Sequence, residues 1–182
     1  MMSHIILISA LILSFFATSA FADKCKDPIV DEVGALSSDD TAQISKAMNN
    51  LVSQGADPRV HILSSYHNSS SIDGHQVAFQ KICAAKGWQE NDGKLKSNMI
   101  LIFFVPKKGA VGLYYGNQWK ERLDSVKSSV LSSLSGSSSI ASGISYGLTS
   151  LGGTLSGKSL PSQNIAPSHL SAISAQVCNE SL

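Results

Sequence analysis

Residues 99–105 read Met-Ile-Leu-Ile-Phe-Phe-Val, an apolar run with no polar interruption. A strand turns successive side chains to opposite faces, so a strand that is apolar throughout has no face suited to water. Such a run predicts a central strand buried on both sides. Lys107-Lys108-Gly109 then makes a turn, and a second apolar run occupies 111–115. A connection this tight pairs the two runs antiparallel. What covers a strand on both faces is helices, and the flanking sequence supplies them.

Ser37-Ser38-Asp39-Asp40 puts capping groups ahead of Ile44, Ala47, Met48 and Leu51 at helical spacing, with Gly55 as the stop. Residues 59–66 are rich in Val, Ile and Leu and read as a strand. In the next segment Asp73 is the expected helix cap, with Gln76 returning the bond and Ile72 stapling onto Val77. Its expected apolar face is Ala78, Phe79, Ile82 and Cys83, and Gly87 closes it. Beyond Gly116, Asn117 is the expected cap of a helix carrying Trp119, Leu123, Val126, Val130, Leu131 and Leu134. After Ser135-Gly136-Ser137 a second stripe follows, Ile140, Ile144, Leu148, Leu151 and Leu155. Helix, strand, helix, strand, strand, helix, helix predicts an α/β fold: a three-layer α/β/α sandwich with a small mixed sheet and a C-terminal helical hairpin.

Both ends fall outside this pattern. Ile5–Phe16 is apolar but short for a membrane span, and Ala20-Phe21-Ala22 is a small-x-small cleavage site. Residues 1–22 therefore read as a signal peptide, 23–156 as the domain and 157–182 as a Ser- and Pro-containing tail. The expected product is exported, periplasmic or secreted, with no stable membrane anchor in the mature chain. Net charge is +1 and no basic stripe exists, which argues against nucleic acid as a partner.

Three cysteines in an oxidising compartment allow one bridge and leave one thiol over. Cys83 lies on an apolar helical stripe and reads as a small buried hydrophobe. Cys25 and Cys178 lie near the two ends of the domain, and a Cys25–Cys178 staple is the expected pairing. Of the histidines, His61 sits within a strand, while His67 and His75 flank a polar loop. A zinc pair from the last two lacks an evident third ligand, so surface or capping roles are expected for them.

The antiparallel pairing carries a functional consequence. It sets Asn98, Gly116 and Asn117 at one edge of the sheet. The loop with Glu90, Asn91 and Asp92 feeds the same edge, and the helix with Glu121 and Asp124 leaves from it. Calcium and similar hard cations favour six to eight oxygen ligands of this kind. The bland alternative is a set of solvated loop residues and helix caps.

The order Pro28-Ile29-Val30-Asp31, Leu36 with a capped helix, the Val60–Ser65 strand, Trp88, Asn98-Met99-Ile100-Leu101-Ile102, Tyr115-Gly116 and a closing helix with Gly143 and Leu148 resembles the TPM domain family. The likeness spans about residues 27 to 155. It implies an exported or lumenal α/β/α domain that binds a divalent cation, with weak acid-phosphatase activity in some members. The family's Val-x-Asp start carries over to Asp31 as a ligand. Ser97-Asn98-Met99 and Tyr115-Gly116-Asn117 depart from the family pattern by an acidic residue and a glycine. With the sheet-edge residues, the expected ligand set for Ca2+ or Mg2+ is Asp31, Asp92, Asn98, Asn117, Glu121 and Asp124.

No phosphatase signature of the Cys-x5-Arg, Asp-x-Asp or Arg-His-Gly type is present, and no serine sits in Gly-x-Ser-x-Gly. A metal-activated water held by these oxygens, with Lys94, Lys96 or Arg122 on the phosphoryl group, is the catalytic route left open. The expected function is therefore a divalent-cation-binding interaction module for an envelope or extracellular protein. The alternative is a weak metal-dependent acid phosphatase.

Overall fold

The computed structural model describes residues 24–157. Among them are four strands, β1 (Ile29–Asp31), β2 (Asp57–Ile62), β3 (Met99–Val105) and β4 (Ala110–Tyr115). Five α-helices accompany them: α1 (Ser38–Val52), α2 (Ile72–Ile82), α3 (Lys120–Leu123), α4 (Lys127–Gly136) and α5 (Ile140–Leu155). The sheet order is β1-β2-β3-β4, with β1, β2 and β3 parallel and β4 antiparallel to β3. The architecture is α/β, three layers closed by the expected helical hairpin.

The apolar run builds both interfaces at once. Ile100 and Ile102 join Val60, Ile62 and Leu113 beneath α1, α4 and α5, where Ile44, Leu51, Val130, Ile144 and Leu148 close the larger core. Met99, Leu101, Phe103 and Val105 face the other way, against Phe79, Cys83 and Trp88. Every β3 residue except the half-buried Phe104 is buried. One uninterrupted apolar sequence thus serves two cores, the signature of a strand with helices on both sides.

Several local expectations need correcting. β1 is an additional, three-residue strand, too short to show a periodicity. The cap of α2 is Ser71, whose Oγ accepts the Gly74 N–H at 3.1 Å, and not Asp73. The buried face of α2 is polar in part, with His75, Gln76, Phe79 and Gln80 inward and Ile82 exposed. Asn117 makes no capping bond: it opens a 3-10 turn, Asn117–Trp119, that follows the extended Gly116. The helix expected from 119 to 134 is broken after Leu123 and resumes at Lys127.

The cysteine pairing also differs. Cys25 is bonded to Cys83, with Cα atoms 5.4 Å apart. Cys83 is buried, as expected, but at the cap position that ends α2, and the segment before β1 brings Cys25 to it. The Trp88 Nε1–H bond to the Cys25 carbonyl, 2.9 Å, fixes the same segment. The expected partner, Cys178, lies outside the described residues. Closing a loop of 58 residues contributes on the order of 3–4 kcal/mol by restricting the unfolded chain.

Candidate functional site

The two edges of the sheet carry different chemistry. At the carboxyl ends of β1 and β2, Glu32 accepts from Lys24 Nζ at 2.7 Å, from Ser64 N at 3.0 Å and from Ser64 Oγ at 2.9 Å. His67 Nε2 stands 3.4 Å from Oε1, the oxygen that also accepts from Lys24. Partial burial acts to raise the Glu32 pKa, but these partners outweigh it and hold the carboxyl down at about 2. Glu32 thus clamps the amino-terminal segment to the loop after β2. Its oxygens are already engaged.

His61 and His75 lie just beneath this loop; His61 is within β2, as expected, whereas His75 is not the surface or capping group expected from the sequence. Both are fully buried against Phe79 and Phe103, with ring centroids 4.8–5.6 Å apart. His75 Nδ1 accepts the His67 N–H at 2.9 Å, while His75 Nε2 and both nitrogens of His61 find no hydrogen bond among the described residues. Burial lowers the His61 pKa to about 3, with the Arg59 charge adding to it, and lowers that of His75 to about 4.

The opposite edge is the one singled out by the sequence, and its segments do meet there. Gln118 N donates to Ser97 O at 3.2 Å, Trp119 Nε1 to Asn98 O at 2.8 Å, and Ser97 N to Glu90 Oε1 at 2.7 Å. The expected ligands nevertheless do not form one set. Asp31 ends β1, which is in register with Ile62, whereas Asn98 precedes the start of β3 beside Asp57. At about 3.3 Å per residue that separation is roughly 15–20 Å. Asp31 instead accepts the N–H groups of Val33 and Leu36. Asp92 pairs with Lys94 at 2.6 Å, and Asp124 accepts from Lys120 at 2.6 Å and from Tyr115 at 2.7 Å. Both aspartates have lowered pKa values, chiefly through those lysine bonds. Asn98 donates to Gly55 O, Asn117 begins the 3-10 turn, and Glu121 is exposed. Among the described residues no three His, Cys, Asp or Glu side chains gather so as to hold a metal ion. The residues present do not fit the expected calcium or magnesium site.

What this edge does hold is a cleft of about 410 Å³. One wall is the second half of α2 with the 89–95 loop; the other is α3 and the start of α4. Tyr114 and Tyr115 at the end of β4 lie between them. Alternation along the strand sends the two tyrosines to opposite layers. Tyr114 Oη donates to Asp73 at 2.6 Å on α2, and Tyr115 Oη donates to Asp124 at 2.7 Å beyond α3. Burial first, then these carboxylates, raise both phenol pKa values. Each hydroxyl is therefore a fixed proton donor. Four lysines line the cleft, Lys81, Lys94, Lys120 and Lys127, against one carboxylate, Asp124. The Lys127 ammonium stands 5.8 and 5.5 Å from the Tyr114 and Tyr115 ring centroids, within cation–π range. Of the phosphate contacts suggested by the sequence, only Lys94 lines the cleft; Lys96 bonds Asp57, and Arg122 bonds the Leu155 carbonyl at 3.4 Å.

The four lysines are scattered from position 81 to 127 and sit on separate elements, so no local sequence pattern reveals them as a group. Only the placement of the sheet edge was readable.

Comparison with protein-family models and with curated proteins gives no match. Among solved structures, the chain is similar to the N-terminal domain of the cg2496 protein from Corynebacterium glutamicum, at 23% identity and a TM-score of 0.54. That match covers 76% of this chain and 84% of the other. It is also similar to the N-terminal domain of a protein from P. gingivalis, at 19% identity and a TM-score of 0.58, covering 77% and 88%. At these identities the likeness establishes a shared α/β fold.

Proposed function

We propose that the chain is an exported, TPM-like interaction domain that holds an anionic partner protein in the lysine cleft and does not turn it over. The observation that carries this reading is the lining of the cleft: four ammonium groups on two walls, against the single carboxylate of Asp124. Positive charge alone binds an anion; cleavage also needs an activated nucleophile or a metal-bound water. Burial, and then their carboxylate partners, keep the tyrosine hydroxyls protonated, and the oxygens that a metal would need are dispersed. The amino-terminal residues 1–22 and the TPM resemblance are what place the domain outside the cytoplasm in this reading, with an envelope or extracellular protein as its partner.

A phosphoester assay separates this reading from the enzymatic one. With p-nitrophenyl phosphate at acid and neutral pH, and millimolar calcium or magnesium, hydrolysis should match that of buffer alone. A metal-dependent rate that falls at least tenfold in Asp31→Ala or Asp124→Ala would instead establish the phosphatase.

A further inference from the structure

We infer that the occupant of the cleft is an acidic segment of a partner protein, an extended peptide in which carboxylate side chains are interspersed with apolar ones. The inference deepens the binding reading above and rests on it. Two of the four lysines already show the contact involved: Lys94 and Lys120 each hold an aspartate at 2.6 Å. Lys81 and Lys127 form no ion pair among the described residues, so two cations are left to an incoming chain, one on each wall. Charge complementarity therefore calls for at least two carboxylates, spaced across the cleft.

The rest of the lining argues for a peptide over a bare anion. Val77, Leu95, Tyr114 and Tyr115 lie between the lysines, and Val77 is 48% exposed on the open face of α2. Apolar surface left at a basic cleft is used by a ligand that brings side chains, whereas inorganic phosphate gains nothing from it. The cations are carried by separate elements, α2, the 89–95 loop, α3 and α4. α2 contributes its last turns, where Lys81 lies, and α4 its first residue, Lys127. The chain's own tail is a poor occupant, since residues 158–182 carry one acidic side chain, Glu180.

The test is an NMR titration of the full 15N-labelled chain with a capped hexapeptide, Glu-Leu-Glu-Phe-Glu-Leu, and with its Gln-for-Glu counterpart. Amide shifts should map to Lys81, Lys94, Tyr114, Tyr115 and Lys127, and the acidic peptide should bind at least tenfold more tightly than the neutral one. Lys81→Glu, at an exposed helical position, should weaken binding about tenfold, and adding Lys127→Glu should abolish it, with thermal melts confirming that both variants fold. Equal affinity for the two peptides, or shifts elsewhere on the surface, would overturn the inference. So would phosphate competing at the peptide's own concentration, or binding seen only with phosphatidylglycerol vesicles. The two readings fail separately. A metal-dependent phosphoester rate removes the binding-module function, whereas background hydrolysis without peptide binding removes only the acidic segment.

Discussion

Gly116→Ala should cost the domain about 3–5 kcal/mol, enough to leave little folded protein. The reason is space and not backbone preference. Gly116 has φ −73° and ψ 169°, extended values that any residue adopts. A Cβ there, however, would overlap the carbonyl oxygens of Lys96 and Ser97, well inside the 3.0 Å that real Cβ atoms keep. Those atoms are backbone and cannot swing aside. Gly116 N donates to Met99 O at 3.0 Å, and Gln118 N and the Trp119 indole bond to Ser97 O and Asn98 O, so the crowded segment is tied from both sides. Urea unfolding of the variant beside Gly136→Ala, whose Cβ would meet nothing within 4 Å, isolates the effect. The helical control should be unchanged or up to about 1 kcal/mol more stable. A Gly116→Ala protein as stable as wild type would mean that β4 does not leave the sheet by this route.

That crossing shows how far the sequence could be read. The break after Tyr115 was visible because an apolar run stops at a glycine, and the antiparallel pairing then dictated which edge the following residues occupy. What such reasoning lacks is which side chains find each other once there. Asp92 and Asp124 were legible as acidic groups near that edge, but not as partners of Lys94 and Lys120, because each pairing depends on the local turn. Asp31 was placed by resemblance with residues that the parallel register puts at the far edge. The inward face of α2 was misjudged for a related reason: hydropathy favours Ala78 and Ile82 over His75, Gln76 and Gln80, yet the polar three are buried. Gln76 and Gln80 can be buried because Gln76 Nε2 donates to Gln80 Oε1 at 2.6 Å and Gln80 Nε2 donates to Gly93 O at 2.9 Å. Cys83 was recognised as buried, and only the path of the segment ahead of β1 reveals its partner.

The second large effect is acid sensitivity well above the carboxylate range. In the unfolded chain His61 and His75 titrate at an ordinary 6.5, whereas in the core burial holds them neutral down to about 3 and about 4. The unfolded state therefore takes up protons first as the pH falls. This part of the stability is complete above pH 6.5 and drains away below it, toward the folded values. Each ring contributes a slope of up to about 1.4 kcal/mol per pH unit. Discounting for relaxation around the rings, the pair removes roughly 3–5 kcal/mol between pH 7 and pH 4.5. Glu32, held at about 2 against an ordinary 4.5, extends the loss in the same direction at lower pH. Denaturant midpoints measured from pH 7.5 to 4.5 should decline throughout, and His61→Leu should roughly halve the slope while leaving the pH 7 stability within about 1 kcal/mol. A flat profile, or an unchanged slope in His61→Leu, would show that these rings are not buried neutral.

The central claim is that the lysine cleft is the face with which this domain meets its partner. Val77 and Val52 allow it to be tested in the producing cell, since both are exposed, at 48% and 53%, and only Val77 lines the cleft. With a photoreactive residue at each position in turn, irradiation and mass mapping of the cross-linked segment give the decisive measurement. The account predicts a discrete adduct from position 77, joined to a segment rich in Asp and Glu and lost in Lys81→Glu/Lys127→Glu, with none from position 52. Identical products from both positions, or a segment from 77 without acidic residues, would contradict it.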